Sequence, residues 1–269
     1  MSIRLGIIGG GVMAEAIISR LLNKKLYQPH EVLVSEPNRQ RREFLEQIYR
    51  VHIVEDNQTV VESGEVLLLS IKPQVLDEVL ASLNVIERSQ PYPLVISILA
   101  GVPLIRLETR FPKYPILRVM PNAPATIGVG MTAISPGQMV NPNHLTLATT
   151  LFEAVGEVVQ VPESLIDAVT GLSGSGPAFV AMMIEALADG GVSAGLPRVI
   201  AIQLALQTVL GTVQLIKNTG LHPAQLKDKV TSPGGTTIAG VAQLEKAGFR
   251  SAIIEAVQAA YRRSQQLGE

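Results

Sequence analysis

Along the first 160 or so residues, short apolar runs alternate with amphipathic stretches of helical period. "IRLGIIG" (3–9), "EVLVS" (31–35), "EVLLLSI" (65–71), "LVISIL" (94–99) and "PILRVM" (115–120) read as strands, with helical segments such as "VMAEAIISRLLNKK" and "PQVLDEVLASL" between them. That alternation predicts crossover units and a parallel sheet covered on both faces. After "GEVVQV" (156–161) the strand signal stops. Helices are expected over Leu165–Gly171, Pro177–Asp189, Pro197–Lys217 and Pro223–Val230, and from Thr237 to the end with a weak point near Gly248. Proline opens three of them, where its missing N–H costs nothing. The pattern therefore predicts an α/β chain: a doubly wound sheet over 1–161, then an all-helical domain over 162–269. No internal repeat interrupts it.

Composition adds an expected partner. Of 269 residues, 47% are hydrophobic and 17% charged, so a sizeable core is available and apolar surface is left for a second chain. "VIAIQLALQTVLGTVQLI" (199–216) carries no charge, but Gln203, Gln207, Thr208, Thr212 and Gln214 suit a buried interface better than lipid. A net charge of −1 gives no footprint for nucleic acid, and Arg39, Arg41 and Arg42 read as a solvated helix start. Without cysteine there is no disulfide, thiolate nucleophile or sulfur metal site, and no metal is expected. The N-terminal "MSIRLGIIGGG" lacks the apolar region of a signal peptide, so the expected location is cytoplasmic.

"IIGGGVMAEAI" places Gly9-x-Gly11-x-x-Ala14 straight after a strand and at the mouth of a helix. The first glycine allows a tight turn, the second lets backbone approach a pyrophosphate, and the small third residue lets helix pack on strand. In that context it predicts a Rossmann-type dinucleotide site. Downstream, "SEPNRQRR" offers Glu36 for a ribose hydroxyl, and Ser35, Asn38 and Arg39 for a 2′-phosphate. Residue chemistry leaves NAD or NADP open.

Between Arg118 and Arg198 there is no lysine or arginine, and His144, in a loop entering a helix, is the only histidine. Alcohol oxidation needs a base for the hydroxyl proton. A protonated cyclic imine needs only a hydride donor, orientation and a few hydrogen bonds. "GLSGSGP" (171–177) and "TSPGGTT" (231–237) are both expected to form glycine-stripped helix N-termini that seat a carboxylate, the second with a hydroxyl aimed at the substrate nitrogen.

Two long motifs carry a resemblance. "DAVTGLSGSGPAFVAMMIEALADGGVSAGLPR" (167–198) and "QLKDKVTSPGGTTIAGVAQLEKAGFRSAIIEAV" (225–257) strongly resemble the signature region of the pyrroline-5-carboxylate reductases, the last enzymes of proline biosynthesis. The likeness extends over essentially the whole chain, through "GIIGGGVMAEAI", "LSIKPQ", "LAGV" and "MPNAP". It implies reduction of 1-pyrroline-5-carboxylate to L-proline with NADPH or NADH, by a homodimer or a ring of dimers whose helical domain is the dimerisation domain. Position by position, it implies that Ile8, Gly9, Gly10, Gly11, Val12 and Met13 hold the pyrophosphate, and that Ser35, Glu36, Arg39 and Asn57 lie on the adenosine ribose side. Ile71, Lys72, Ala100 and Asn122 would line the nicotinamide end. Ser232, Gly235 and Thr236 would take the substrate carboxylate, the Thr237 hydroxyl would bond the ring nitrogen, and Glu163 would lie near the substrate. The chain departs from that pattern at Glu36, where relatives often have serine, at Lys229 in place of a cofactor-contacting asparagine, and at Gly220 in place of an acidic residue.

Overall fold

In the computed structural model, which describes residues 3–84 and 91–268, each apolar run near the N-terminus forms a buried strand. The strands are β1 (Leu5–Ile8), β2 (Val32–Ser35), β3 (His52–Val54), β4 (Val66–Leu69), β5 (Leu94–Ser97), β6 (Ile116–Met120), β7 (Gly130–Pro136) and β8 (Gly156–Gln160). They form one eight-stranded sheet in the order β3-β2-β1-β4-β5-β6-β7-β8. Every pairing is parallel except β6 with β7. Helices α1 (Val12–Asn23), α2 (Arg39–Tyr49), α3 (Asn57–Val61), α4 (Leu76–Ser82), α5 (Leu104–Arg110) and α6 (Pro142–Glu153) connect the strands. α7 (Ile166–Val169), α8 (Gly176–Ser193), α9 (Arg198–Thr219), α10 (Pro223–Lys229), α11 (Thr236–Lys246) and α12 (Phe249–Gly268) follow the sheet.

The core divides by strand period. Leu5, Ile7, Val34 and Leu68 join Ile17, Leu21 and Phe152 in one cluster. Ile8, Leu33, Leu67 and Leu69 join Leu80, Phe111 and Tyr114 in the other. Adjacent residues of one strand thus feed opposite faces, which is why the strands read as unbroken apolar runs. Each fully buried Leu, Ile or Phe contributes about 1.5–3 kcal/mol relative to exposure. This is a Rossmann-type sheet.

The chain packs as two compact units, one of Met1–Ser175 with Ala259–Glu269 and one of Gly176–Gln258. The sheet itself ends at Gln160, beside the Pro162 boundary read from sequence, but the first unit continues through α7 and takes back the end of α12. In the second unit α8 and α9 enclose a small cluster of Ala188, Ala201 and Ala205, flanked by Ile184 and Val192. Beyond it, Val199 is 78% exposed, and Met182, Leu206, Leu210 and Val213 lie open. Glu163–Ser193 and Arg198–Thr219 are long and apolar enough to cross a membrane by length and composition alone. So thin a core cannot offset the ordering entropy of so many helical residues without further burial.

Candidate active site

The strand order reverses at β1 and β4, and in such sheets a crevice opens at the C-terminal strand ends. Register places Ile8 beside Ser35 on one side and beside Leu69 on the other, so the turns leaving β1, β2 and β4 converge there. Gly9 has φ +95°, and a Cβ on it would meet the Ser70 carbonyl oxygen at 2.6 Å and Ile71 Cγ2 at 2.9 Å. Gly11 has nothing within 4 Å of its Cβ position, and Ala14 is fully buried. Turn, open approach and close packing are therefore distributed as the motif predicts. The first bond of α1 runs from Glu15 N–H to the Gly11 carbonyl at 2.9 Å, with no side-chain cap. The N–H groups of Val12, Met13 and Ala14 stay outside the helical bonding pattern, at the positive end of the helix. A cleft of about 250 Å³ brings together Ile8, Gly9, Ser35, Asn57 and Ile71, with Glu55 and Glu78 at its walls. In it the Ser35 hydroxyl donates to Asn57 Oδ1 at 2.7 Å.

Glu36 is committed to backbone. Its Oε2 accepts from Gly10 N–H and its Oε1 from Asn38 N–H, both at 2.9 Å. The arginine cluster, read from sequence as solvated, is so only at Arg39, 83% exposed and paired with Glu43 at 2.8 Å. Arg42 donates to the carbonyls of Glu36 and Pro37 and pairs with Glu55 at 3.1 Å. Arg41 donates to the carbonyls of Gly10 and Gly11 and pairs with Glu15, which also accepts from the Tyr49 hydroxyl. Burial, then the bond to Glu15, raises the Tyr49 pKa. No spacing rule links residues 10, 15, 41 and 49, so sequence gave no sign of this group.

At the expected nicotinamide end, Lys72 is exposed ahead of the turn Pro73–Val75, while Ala100 is half-buried. Asn122 accepts from Met131 N–H at 2.9 Å and donates to the Ser173 hydroxyl at 3.2 Å, tying the β6–β7 loop to residue 173. Glu163 accepts from Leu104 N–H at the start of α5, at 2.5 Å, and lies 3.4 Å from the buried Arg118. Arg118 also pairs with Asp167 at 2.7 Å, and Asp167 accepts from the Ser264 hydroxyl of α12. Sequence reading missed Arg118, Asp167 and Ser264. His144 closes a capping box with Asn141 at the start of α6, and burial lowers its pKa.

The two glycine-rich helical motifs differ. "TSPGGTT" opens α11 as expected: Gly234 takes φ +65°, and a Cβ at Gly235 would collide with the Ser232 hydroxyl. The N-cap is Gly235, without a side-chain bond, and the helix begins from Ala239 N–H to the Gly235 carbonyl at 3.3 Å. Among the described residues, the hydroxyls of Ser232, Thr236 and Thr237 have no hydrogen-bond partner. They do not cap their own helix, and its first N–H groups remain open. "GLSGSGP" corrects the expectation. Instead of a new helix start, α7 passes into a π-helical stretch, Thr170–Gly174, closed by Ser175 N–H on the Thr170 carbonyl at 2.9 Å, and α8 follows. Pro177 has no N–H and its ring excludes the carbonyl four residues back, so the wider turn ahead of it absorbs the fault without opening an end.

Residues 163–267 match the family model for pyrroline-5-carboxylate reductase dimerisation. A pyrroline-5-carboxylate reductase of Synechocystis is 66% identical over all of both chains. The chain belongs to the pyrroline-5-carboxylate reductase family. A reductase of Methanosarcina acetivorans is 43% identical over 99% of the chain and 98% of its own length. Residues 4–101 match the model for coenzyme F420-dependent NADP oxidoreductases, a span that runs from before the glycine turn through Ala100 and Gly101. Among solved structures, Plasmodium falciparum pyrroline carboxylate reductase with NADP bound superposes with a TM-score of 0.89 at 30% identity, covering 99% of this chain and 98% of that one. The dimerisation match covers the helices whose apolar faces lie open in the single reductase chain.

Proposed function

We infer that the protein reduces 1-pyrroline-5-carboxylate to L-proline with NADPH, as a cytoplasmic homodimer or ring of dimers. The observation that carries this is the start of α11, where helix N–H groups and three hydroxyls have no partners among the described residues, in a chain of the reductase family. When bound, NADPH supplies a hydride to the imine carbon, and the iminium already holds the proton that becomes the product N–H. The chain's task is to bind and orient. The turn from Ile8 to Met13 receives the pyrophosphate through the N–H groups of Gly11, Val12 and Met13 at the mouth of α1, while Gly9 and Gly10, whose own N–H groups bond the Ser35 carbonyl and Glu36, shape the turn. Ser35, Glu36, Arg39 and Asn57 serve the ribose side; Ile71, Lys72, Ala100 and Asn122 the nicotinamide side. Ser232, Gly235 and Thr236 hold the substrate carboxylate, the Thr237 hydroxyl bonds the ring nitrogen, and Glu163 acts near the substrate through its hold on α5. No lysine or histidine base is needed.

The test is consumption of NADPH, and separately NADH, with racemic 1-pyrroline-5-carboxylate, the product identified as proline. Turnover is expected with both and faster with NADPH. A folded dimer that binds NADPH but turns over no imine would overturn the reading.

Cofactor choice gives a second expected result. Arg41 and Arg42 are committed to backbone carbonyls, whereas Arg39 has only an exposed partner, so Arg39 alone can swing to a 2′-phosphate at little cost. Arg39→Ala should raise KM for NADPH about fivefold and leave NADH unchanged. Glu36→Ser should move the efficiency ratio toward NADPH by removing carboxylate–phosphate repulsion. Equal effects on both nucleotides would place these side chains away from the 2′ position.

A further inference from the structure

Resting on the nucleotide-binding part of that reading, we propose that Arg41 is a positioning residue that fixes the peptide orientation of the glycine turn for the pyrophosphate. Gly9, Gly10 and Gly11 are consecutive, and three glycines in a row are the least restrained backbone a chain can present. None can be traded for rigidity: Gly9 is left-handed, a Cβ on Gly10 would meet Leu45 Cδ1 at 2.7 Å and Glu36 Oε2 at 3.3 Å, and Gly11 must stay open. Restraint has to come from outside the turn. Arg41 Nε donates to the Gly10 carbonyl at 2.5 Å and Nη2 to the Gly11 carbonyl at 3.2 Å, while Glu36 accepts from Gly10 N–H. Carbonyls and N–H are thus held by different side chains. The three bonds lie on three successive peptides: a flip of Gly10–Gly11, which would turn the Gly10 carbonyl toward the phosphates, breaks the Arg41 Nε bond, and flips of the peptides on either side break the bond from Gly10 N–H to Glu36 or the bond from Arg41 to the Gly11 carbonyl.

Arg41 is itself well anchored. Its backbone N–H is capped by Asn38 Oδ1 at 3.0 Å, and its guanidinium lies 5.0 Å from the centre of the Phe44 ring. It is three-quarters buried and pairs at 2.6 Å with Glu15, whose other oxygen accepts from the Tyr49 hydroxyl at 2.8 Å. The pairing has a second consequence. Glu15 stands in the first turn of the helix that receives the pyrophosphate, and Arg41 neutralises a carboxylate that would otherwise repel the ligand.

The test compares dissociation constants of the full-length protein for NADP+ and for adenosine 2′-monophosphate, which lacks the pyrophosphate, by calorimetry. Arg41→Met should weaken NADP+ by about tenfold, two carbonyl bonds and one charge pair being lost at a partly exposed site. Binding of adenosine 2′-monophosphate should change less than about twofold, because it does not touch the turn. Adding Glu15→Gln should recover part of the loss, the charge component, but not the part owed to the carbonyls. If Arg41→Met does not fold, Tyr49→Phe keeps the core and loosens Glu15, with a loss of about threefold for NADP+ expected. Equal loss for both ligands, or no loss for NADP+ in folded Arg41→Met, would overturn the proposal. Failure of the unaltered protein to bind NADP+ would instead overturn the functional reading.

Discussion

Replacing Thr237 by alanine is expected to lower kcat/KM for 1-pyrroline-5-carboxylate by about ten- to a hundredfold, with little change in NADPH affinity or thermal stability. Thr237 is the second residue of α11 and is half-buried, and its hydroxyl bonds nothing among the described residues. A capping threonine would cost stability on removal, about 1 kcal/mol. One with no internal partner should not. On the proposed role the loss falls on the reaction, because a hydrogen bond to a charged iminium nitrogen is worth roughly 1.5–3 kcal/mol. Thr237→Ser keeps the hydroxyl and should stay within about threefold of the original. Steady-state rates in nucleotide and in imine, beside a melting curve, separate the two roles. Unchanged kcat/KM would remove Thr237 from the site, and a large fall in melting temperature would return it to the helix.

What was legible in the sequence was whatever local period or local backbone chemistry dictates. β1, β2, β4, β5 and β6 are read correctly because both faces are buried and their positions are apolar apart from Gly6 and the buried Ser35, Ser97 and Arg118. β7 is hidden because Gly130, Thr132 and Ser135 interrupt that run, although Thr132 and Ser135 are buried. β3 is hidden for the opposite reason: it is three residues long and half-exposed at the sheet edge. The glycine turn is legible since its three roles are steric and sequential. "GLSGSGP" misled, because glycine, serine and proline also suit a π-helical fault inside a longer helical run. The charged groups bracing these turns come from distant segments, Arg41 on the glycine turn and Arg118 on Asp167, and no periodicity reports such a meeting.

Arg118 carries the largest stability effect. Replacement by methionine, close in volume and uncharged, is expected to destabilise the protein by about 3 kcal/mol in urea unfolding at neutral pH. The guanidinium is 4% exposed, while Asp167 and Glu163 retain 20% and 35% exposure, so water screens part of the penalty for leaving both carboxylates unpaired. Among the described residues Asp167 would keep only the Ser264 hydroxyl and Glu163 only the Leu104 N–H. The consequence reaches further than one ion pair, since Ser264 belongs to the end of α12 that packs with the first unit. There the end of the helix also lies against Gly101, where a Cβ would meet Leu267 Cβ and the Ser264 carbonyl, each at 2.7 Å. Weakening the Asp167–Ser264 link should therefore loosen the last turns of α12 beside Ala100, and limited proteolysis should cut there in Arg118→Met before it cuts the original. Adding Asp167→Asn removes the less exposed of the two stranded charges and should restore about half of the lost stability, Glu163 keeping its charge, because much of the cost of breaking a buried ion pair is the carboxylate left without a partner. A double variant no more stable than Arg118→Met would show that the loss is packing around the guanidinium rather than charge.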